Sequence, residues 1–245
     1  MINDGDVTLR SAVGEWWRRE ATRDGAFPTF GRLILLLLEF ARDSLPSRRR
    51  LRYGDVDFDW DFRVDTTSAT VHWRDRLLGL LHSPYQATEP ALFHEMMSAL
   101  KIDFRKFTFV DLGSGKGRAL LLAADYPFRR IVGIELLPNL HRIAIENSQR
   151  YKSDSQRCFA IESICADACE YVFPPEPIVL YLFNPLPEAG LRQVIRNLEN
   201  SLPQSPREVY LLYHNPLLEH VLAENPAFKK SEATQEYAIY FSAHT

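Results

Sequence analysis

The sequence predicts an α/β fold: a doubly wound, mostly parallel sheet with helices on both faces, preceded by a mainly helical N-terminal extension. Three observations carry this reading. From about Tyr85 onward, short apolar runs alternate with amphipathic stretches, the sign of strands alternating with helices. The first of those apolar runs leads straight into a glycine-rich turn, "VDLGSGKGR". Residues 1–84, by contrast, are rich in Arg, Asp and Trp and hold little continuous apolar sequence apart from Leu33 to Phe40. The chain is therefore divided into an extension over 1–84, expected to form a cap shaping an acceptor site, and an α/β domain over 85–245.

In the extension, two helices are expected, at about Thr8 to Ala21 and Thr29 to Ser44. The apolar run "LILLLL" (Leu33 to Leu38) is far short of the roughly 20 residues that cross a bilayer and marks a buried helix. A basic run, "SRRRLR" (Ser47 to Arg52), reads as a solvated turn. In "DVDFDWDFRVD", Val56, Phe58, Trp60, Phe62 and Val64 alternate with acids, a period of two that predicts an amphipathic strand or extended arm. Its aspartates form a solvated acidic face and no metal site. A calcium loop of this type needs Gly where Trp60 stands.

In the α/β domain, a helix is expected from Pro90 to Leu100, with Thr88 or Glu89 at its start and Pro90 suited to the first turn. Strands are expected at Phe107 to Leu112, Arg130 to Glu135, within "CFAIESICAD", at Ile178 to Phe183 and at Glu208 to Tyr213. Helices over Lys116 to Ala124, Pro138 to Tyr151 and Glu188 to Leu202 fall between them. The stretch from Phe228 to Phe241 reads as a hairpin.

The composition excludes little else. With 245 residues, 46% hydrophobic and 25% charged, it is an ordinary globular balance. The formal net charge of -3 offers no global attraction to nucleic acid or anionic lipid, and argues against a nucleic-acid partner. Cys158, Cys165 and Cys169 make no C-x-x-C pair and read as free thiols of a reducing, cytoplasmic compartment. No membrane span is expected, and the oligomeric state is open.

The glycine-rich turn discriminates among ligands. Gly113, Gly115 and Gly117 follow the first strand, where glycines let a ligand approach the backbone and leave helix amides free. A phosphate-binding loop of the G-x-x-x-x-G-K-[ST] type fails, because Gly117 follows Lys116. The dinucleotide spacing G-x-G-x-x-G also fails. Asp111, just before the turn, would repel a pyrophosphate but favour an ammonium or sulfonium. Glu135 ends the second strand, where an acid suits ribose hydroxyls. Asp167 follows the third, placed to accept from an adenine amino group or to cap a turn. Three acids at successive strand ends with no phosphate signature describe a nucleoside bearing an amino acid, S-adenosylmethionine.

"FVDLGSGKGR … IVGIELLP … CADA … YLFNPL" resembles the class I S-adenosylmethionine-dependent methyltransferase superfamily from about Tyr85 to the C-terminus. The resemblance implies a seven-stranded sheet whose last strand is antiparallel. It also implies that Asp111, Gly113, Ser114, Gly115 and Gly117 surround the methionine moiety, Glu135 binds the ribose, and Leu136, Asp167 and Ala168 surround the adenine. Upstream, "SPYQATEP" is similar to the Tyr-x-x-Thr stretch of non-SET protein-lysine methyltransferases, in which Tyr85 and Thr88 would close over the methionine end. Helix capping by Thr88 is the competing reading.

Methyl transfer from a sulfonium is an in-line displacement needing proximity, alignment and an unprotonated nucleophile, so no nucleophile–base pair is required. His214, in "YHNP" at the end of the fifth strand, is the better base candidate among the histidines. Asn184-Pro185 ends the fourth strand, at the carboxyl edge where doubly wound sheets bind ligands. Amino-methyltransferases acting on adenine or glutamine carry Asn/Asp-Pro-Pro-aromatic here. This chain reads Asn184-Pro185-Leu186-Pro187, without the second Pro and the ring that stacks a flipped base. Asn184 and Pro185 are accordingly expected to hold an amine acceptor, a protein lysine or a small molecule. The alternatives are a small-molecule methyltransferase and a non-catalytic module binding the cofactor or its product.

Overall fold

The computed structural model describes residues 9–43, 56–67 and 86–243, which fall into two compact units. The first contains a helical hairpin, α1 (Leu9–Asp24) and α2 (Ala26–Asp43), broken at Gly25, whose φ of 88° only glycine adopts readily. Trp16 and Thr29 are buried, and Arg32 pairs with Glu20 across the two helices at 3.1 Å. The expectation of a buried second helix needs correction. Phe27 (93%), Leu35 (62%) and Leu38 (61%) are largely exposed. A hairpin of two helices has one mutual interface, which cannot cover a helix that is apolar around most of its circumference.

The second unit comprises residues 57–66 and 87–243. Its elements are α3 (Val56–Phe62), α4 (Pro90–Ala99), β1 (Thr108–Leu112), α5 (Arg118–Ala123), β2 (Arg130–Glu135), α6 (Pro138–Arg150), β3 (Ile161–Cys165), β4 (Ile178–Leu182), α7 (Glu188–Ser201), β5 (Glu208–His214), α8 (His220–Ala223), β6 (Lys229–Ala233) and β7 (Tyr237–Ala243). The sheet has seven strands in the order β3-β2-β1-β4-β5-β7-β6. β1 to β5 pair in parallel, while β7 runs antiparallel to both β5 and β6. The strand order reverses between β1 and β4, which defines the switch point where doubly wound sheets bind ligands.

β1 and β4 are buried along their whole length because both faces are covered. Alternation divides their side chains. Phe109 and Tyr181 join Phe93, Met96 and Met97 of α4 on one face. Val110, Leu112, Leu180 and Leu182 meet Leu191, Val194, Ile195 and Leu198 of α7 on the other. By the same parity Asp111 shares the α4 face with Tyr181, its partner in the β1–β4 register.

The acidic-aromatic stretch departs from the expected extended arm: it forms α3. Phe58 and Phe62, one turn apart, contact each other with ring centroids at 4.8 Å, and Phe62 reaches Tyr151 at 5.1 Å. Over seven residues a period of two and an i, i+4 pair select the same positions, and tertiary packing decides between them. Its acids serve buried cations. Asp59 pairs with Arg118 at 3.1 Å, and Arg118 also lies over the Phe58 ring at 4.5 Å. Asp65 pairs with the fully buried Lys116 at 2.7 Å. Asn147 receives the Asp65 amide at 2.8 Å and donates to the carbonyls of Asp65 and Lys116. The basic run at Ser47 to Arg52 lies outside the described residues. Among the described residues no helix is long and apolar enough to cross a membrane.

Because Arg118 is buried, Asp59→Ala removes a carboxylate from a cation that cannot reach water. A loss of about 3–5 kcal/mol is expected, read from urea unfolding midpoints.

Candidate functional site

The carboxyl ends of β1, β2, β4 and β5 build the site. After β1 the chain turns through Gly113, Gly115 and Gly117, all left-handed, at φ of 76°, 55° and 85°. The amides of Gly113 and Ser114 both donate to the Ile134 carbonyl, at 2.8 and 3.0 Å, which pins the turn to β2. Gly113 has a second reason to be glycine: a Cβ there would lie 2.5 Å from Cβ of Pro185. The turn after β1 and the Asn184-Pro185 turn after β4 are thus in direct contact. Ser114 is buried with its hydroxyl unpartnered, beside Gly133.

Two buried carboxyls converge here. Glu135 accepts from the amide of Gly115 through Oε2 and from that of Leu137 through Oε1, both at 2.8 Å. These bonds orient the carboxylate. Burial pushes the Asp111 carboxyl well above the usual range, and repulsion from Glu135 raises it further. A site that already opposes one of its own negative charges disfavours an anion and favours a cation. The neighbouring cations do not neutralise it, since Lys116 and Arg118 are turned to Asp65 and Asp59.

The remaining predicted residues distribute as follows. Tyr85 lies outside the described residues. Thr88 is buried and does not cap α4; Glu89 occupies the cap position, and its side chain makes no capping bond. Instead Oγ1 of Thr88 meets the Tyr181 hydroxyl at 3.0 Å. Leu136 is 39% exposed and Ala168 buried, both next to the β2 and β3 ends. Asp167 caps the single turn Ala168–Glu170, accepting from the Cys169 amide at 2.7 Å.

Asn184 is held more tightly than an amide waiting for a ligand. It is left-handed at φ 47°, donates through Nδ2 to the Asn215 carbonyl at 2.6 Å, and accepts from the Tyr213 hydroxyl at 2.9 Å. Both ends of its amide are engaged within the protein. No hydrogen bond among the described residues uses its main-chain carbonyl. Asn215 repeats the geometry one strand away, also at φ 47° and also followed by Pro.

Sequence reasoning missed a buried chain beside this turn. The Tyr181 hydroxyl meets Nδ1 of His214 at 2.7 Å, and the Phe183 ring stacks on the imidazole with centroids 3.8 Å apart. Two signals were available: Tyr181 shares its face with Asp111, and Asn-Pro-Leu occurs at the ends of both β4 and β5.

The strand order, the antiparallel β7 and the glycine turn at the switch point make this the class I S-adenosylmethionine-dependent methyltransferase fold. No protein-family model and no curated protein matches the chain by sequence. Solved structures are similar to it in fold. A protein described as a predicted N6-adenine-specific DNA methylase from Listeria monocytogenes is 16% identical, with a TM-score of 0.48, over 64% of this chain and 52% of that one. A dimethyladenosine transferase from Plasmodium falciparum is 13% identical, with a TM-score of 0.48, over 66% of this chain and 64% of that one. An RNA methyltransferase from Salinibacter ruber, in complex with S-adenosyl-L-homocysteine, is 21% identical, with a TM-score of 0.39, over 63% of this chain and 91% of that one.

The argument from net charge against a nucleic-acid partner does not stand, because structures of similar fold are named for DNA and RNA substrates. A net charge sums over the whole chain and does not describe one binding face. The comparisons lend no support to a protein lysine as acceptor.

Burial lowers the His214 imidazole from its ordinary 6.5 to about 4, so the folded state favours the neutral ring. That contribution is complete above about pH 6.5 and is lost as pH falls toward 4, about 3 kcal/mol in all. Between pH 7 and pH 4 the urea midpoint is expected to fall more steeply for the wild type than for His214→Asn.

Proposed function

We propose that the protein is an S-adenosylmethionine-dependent methyltransferase acting on a nitrogen. The observation that carries this is the buried acid pair, Asp111 and Glu135, around a glycine turn that touches Pro185. Asp111 and the turn Gly113–Gly117 would hold the methionine end, with its ammonium and sulfonium charges near the two carboxyls. The oriented Glu135 would take the ribose hydroxyls, and Leu136, Asp167 and Ala168 would surround the adenine. Thr88 closes the same side from the start of α4. The cofactor, when bound, supplies an activated methyl group; the chain's own task is to orient the acceptor and exclude water.

The contact between Gly113 and Pro185 supports placing the acceptor at the β4 end. There the main-chain carbonyl of Asn184 is available to an N–H of the acceptor, while its side-chain amide shapes the turn. Pro185 fixes the turn against the methionine end. Protein, nucleic acid and small molecules are all open as acceptor classes. Incubation with methyl-labelled cofactor and a fractionated cell extract separates them, and label in none of the three fractions would refute methyl transfer.

One observation favours a second reading, a module that binds the cofactor without transfer: both ends of the Asn184 amide are already engaged. Calorimetry with S-adenosylhomocysteine tests the part common to both readings. Glu135→Ala is expected to weaken binding by about 100-fold or more, since it removes two charge-assisted hydrogen bonds. Gly113→Ala is expected to abolish binding through the collision with Pro185. Wild-type protein that binds neither the cofactor nor its product would sink both readings.

A further inference from the structure

His214 ends β5 beside the Asn184 turn, and one of its two ring nitrogens is already engaged. Nδ1 is occupied by the Tyr181 hydroxyl at 2.7 Å, which in turn meets Thr88 at 3.0 Å. Among the described residues Nε2 has no hydrogen-bond partner. The Phe183 ring, stacked at 3.8 Å and 20°, keeps the imidazole from rotating. Phe183 directly precedes Asn184, so the stack ties His214 to the turn that touches the glycine loop. His214 and Asn184 end adjacent parallel strands, and the Asn184 amide bonds to the carbonyl of Asn215, the residue after His214.

We propose that Nε2 of His214 is the hydrogen-bond acceptor that orients the methyl-accepting nitrogen, with Tyr181 and Thr88 as the positioning residues that set its tautomer. This rests on the cofactor reading given under Proposed function. A nucleophilic nitrogen must aim its lone pair at the methyl group, and so needs its N–H held by an acceptor rather than a donor. Nε2 offers a lone pair only when the ring proton sits on Nδ1. That proton is then donated to the Tyr181 oxygen, and the Tyr181 hydroxyl donates to Thr88. Burial keeps the Tyr181 phenol protonated, its pKa well above 10.0, so a single proton lies along this path in either direction. The neutral ring matches the role, because an imidazolium has no lone pair to offer.

Two measurements on the full chain test the assignment without knowing the acceptor. The first compares S-adenosylhomocysteine with sinefungin, an analogue that carries an amine on the carbon replacing the sulfonium, by calorimetry. His214→Phe retains an aromatic ring for the Phe183 stack but removes both nitrogens. It is expected to weaken sinefungin by about tenfold while leaving the homocysteine product within about twofold, the effect of one charge-assisted hydrogen bond. The second reads the His214 ring nitrogens by nitrogen-15 NMR. In the wild type Nδ1 is expected to carry the proton and Nε2 to be unprotonated; in Tyr181→Phe the proton moves to Nε2, and sinefungin weakens by about threefold. Equal loss of both ligands in His214→Phe, loss of neither, or an Nε2-protonated wild-type ring overturns the proposal. A wild type that binds neither sinefungin nor S-adenosylhomocysteine would overturn the cofactor reading instead.

Discussion

The close approach of Gly113 to Pro185 constrains both turns at the switch point of the sheet. β1 and β4 are neighbours at the point where strand order reverses, and each must turn sharply as it leaves the sheet. The first turn is made by a left-handed glycine and the second by a left-handed asparagine followed by proline. The two turns meet because the first has no side chain. The first turn is also anchored on β2, through the amides of Gly113 and Ser114 on the Ile134 carbonyl. Asn184 holds its strained backbone through both ends of its amide, one on Tyr213 and one on Asn215. The feature is thus both a chain turn and one wall of the candidate site.

Charge is sorted around the same turn. The sequence from Asp111 to Arg118 carries one acid and two bases within eight residues, and in solution they would partly cancel. Folding sends them to opposite sides. Asp111 faces Glu135 beneath the turn, while Lys116 and Arg118 point away to the carboxylates of Asp65 and Asp59. The segment 57–66 therefore acts at a distance on the electrostatics of the site: it satisfies two buried cations that would otherwise compete for the acidic pair. Burial does the rest, since in a low-dielectric setting the field of two carboxyls is weakly screened.

Much of this was legible in the residues. The strand–helix alternation, the glycine turn, and the acids at the ends of β1 and β2 follow from period, spacing and the elimination of phosphate motifs. The fold they imply is the one observed. What failed did so for identifiable reasons. Phe58 and Phe62 satisfy a strand's period and a helix's i, i+4 pairing alike, and Tyr151 against Phe62 and Arg118 over Phe58, both far along the chain, decide for the helix. The apolar run in α2 predicts burial only if enough neighbouring surface exists. The direction of the Asn184 amide depends on Tyr213 and Asn215 of the next strand, and pattern along one segment does not register such a partner. Tyr181 read as one more apolar residue of a buried strand, because its hydroxyl acquires meaning only beside Thr88 and His214.

The placement of residues 57–66 also bears on what counts as a module in this chain. They pack with residues 87–243, although many residues of the sequence separate the two. The α/β unit is therefore discontinuous along the chain. A polypeptide beginning at residue 85, where the change of composition invites a cut, would retain Lys116, Arg118 and Asn147 but lose the residues they hold. Excision, fusion or recombination at that boundary would separate cations from anions that were buried together. The boundary visible in composition and the boundary of cooperative structure are different lines.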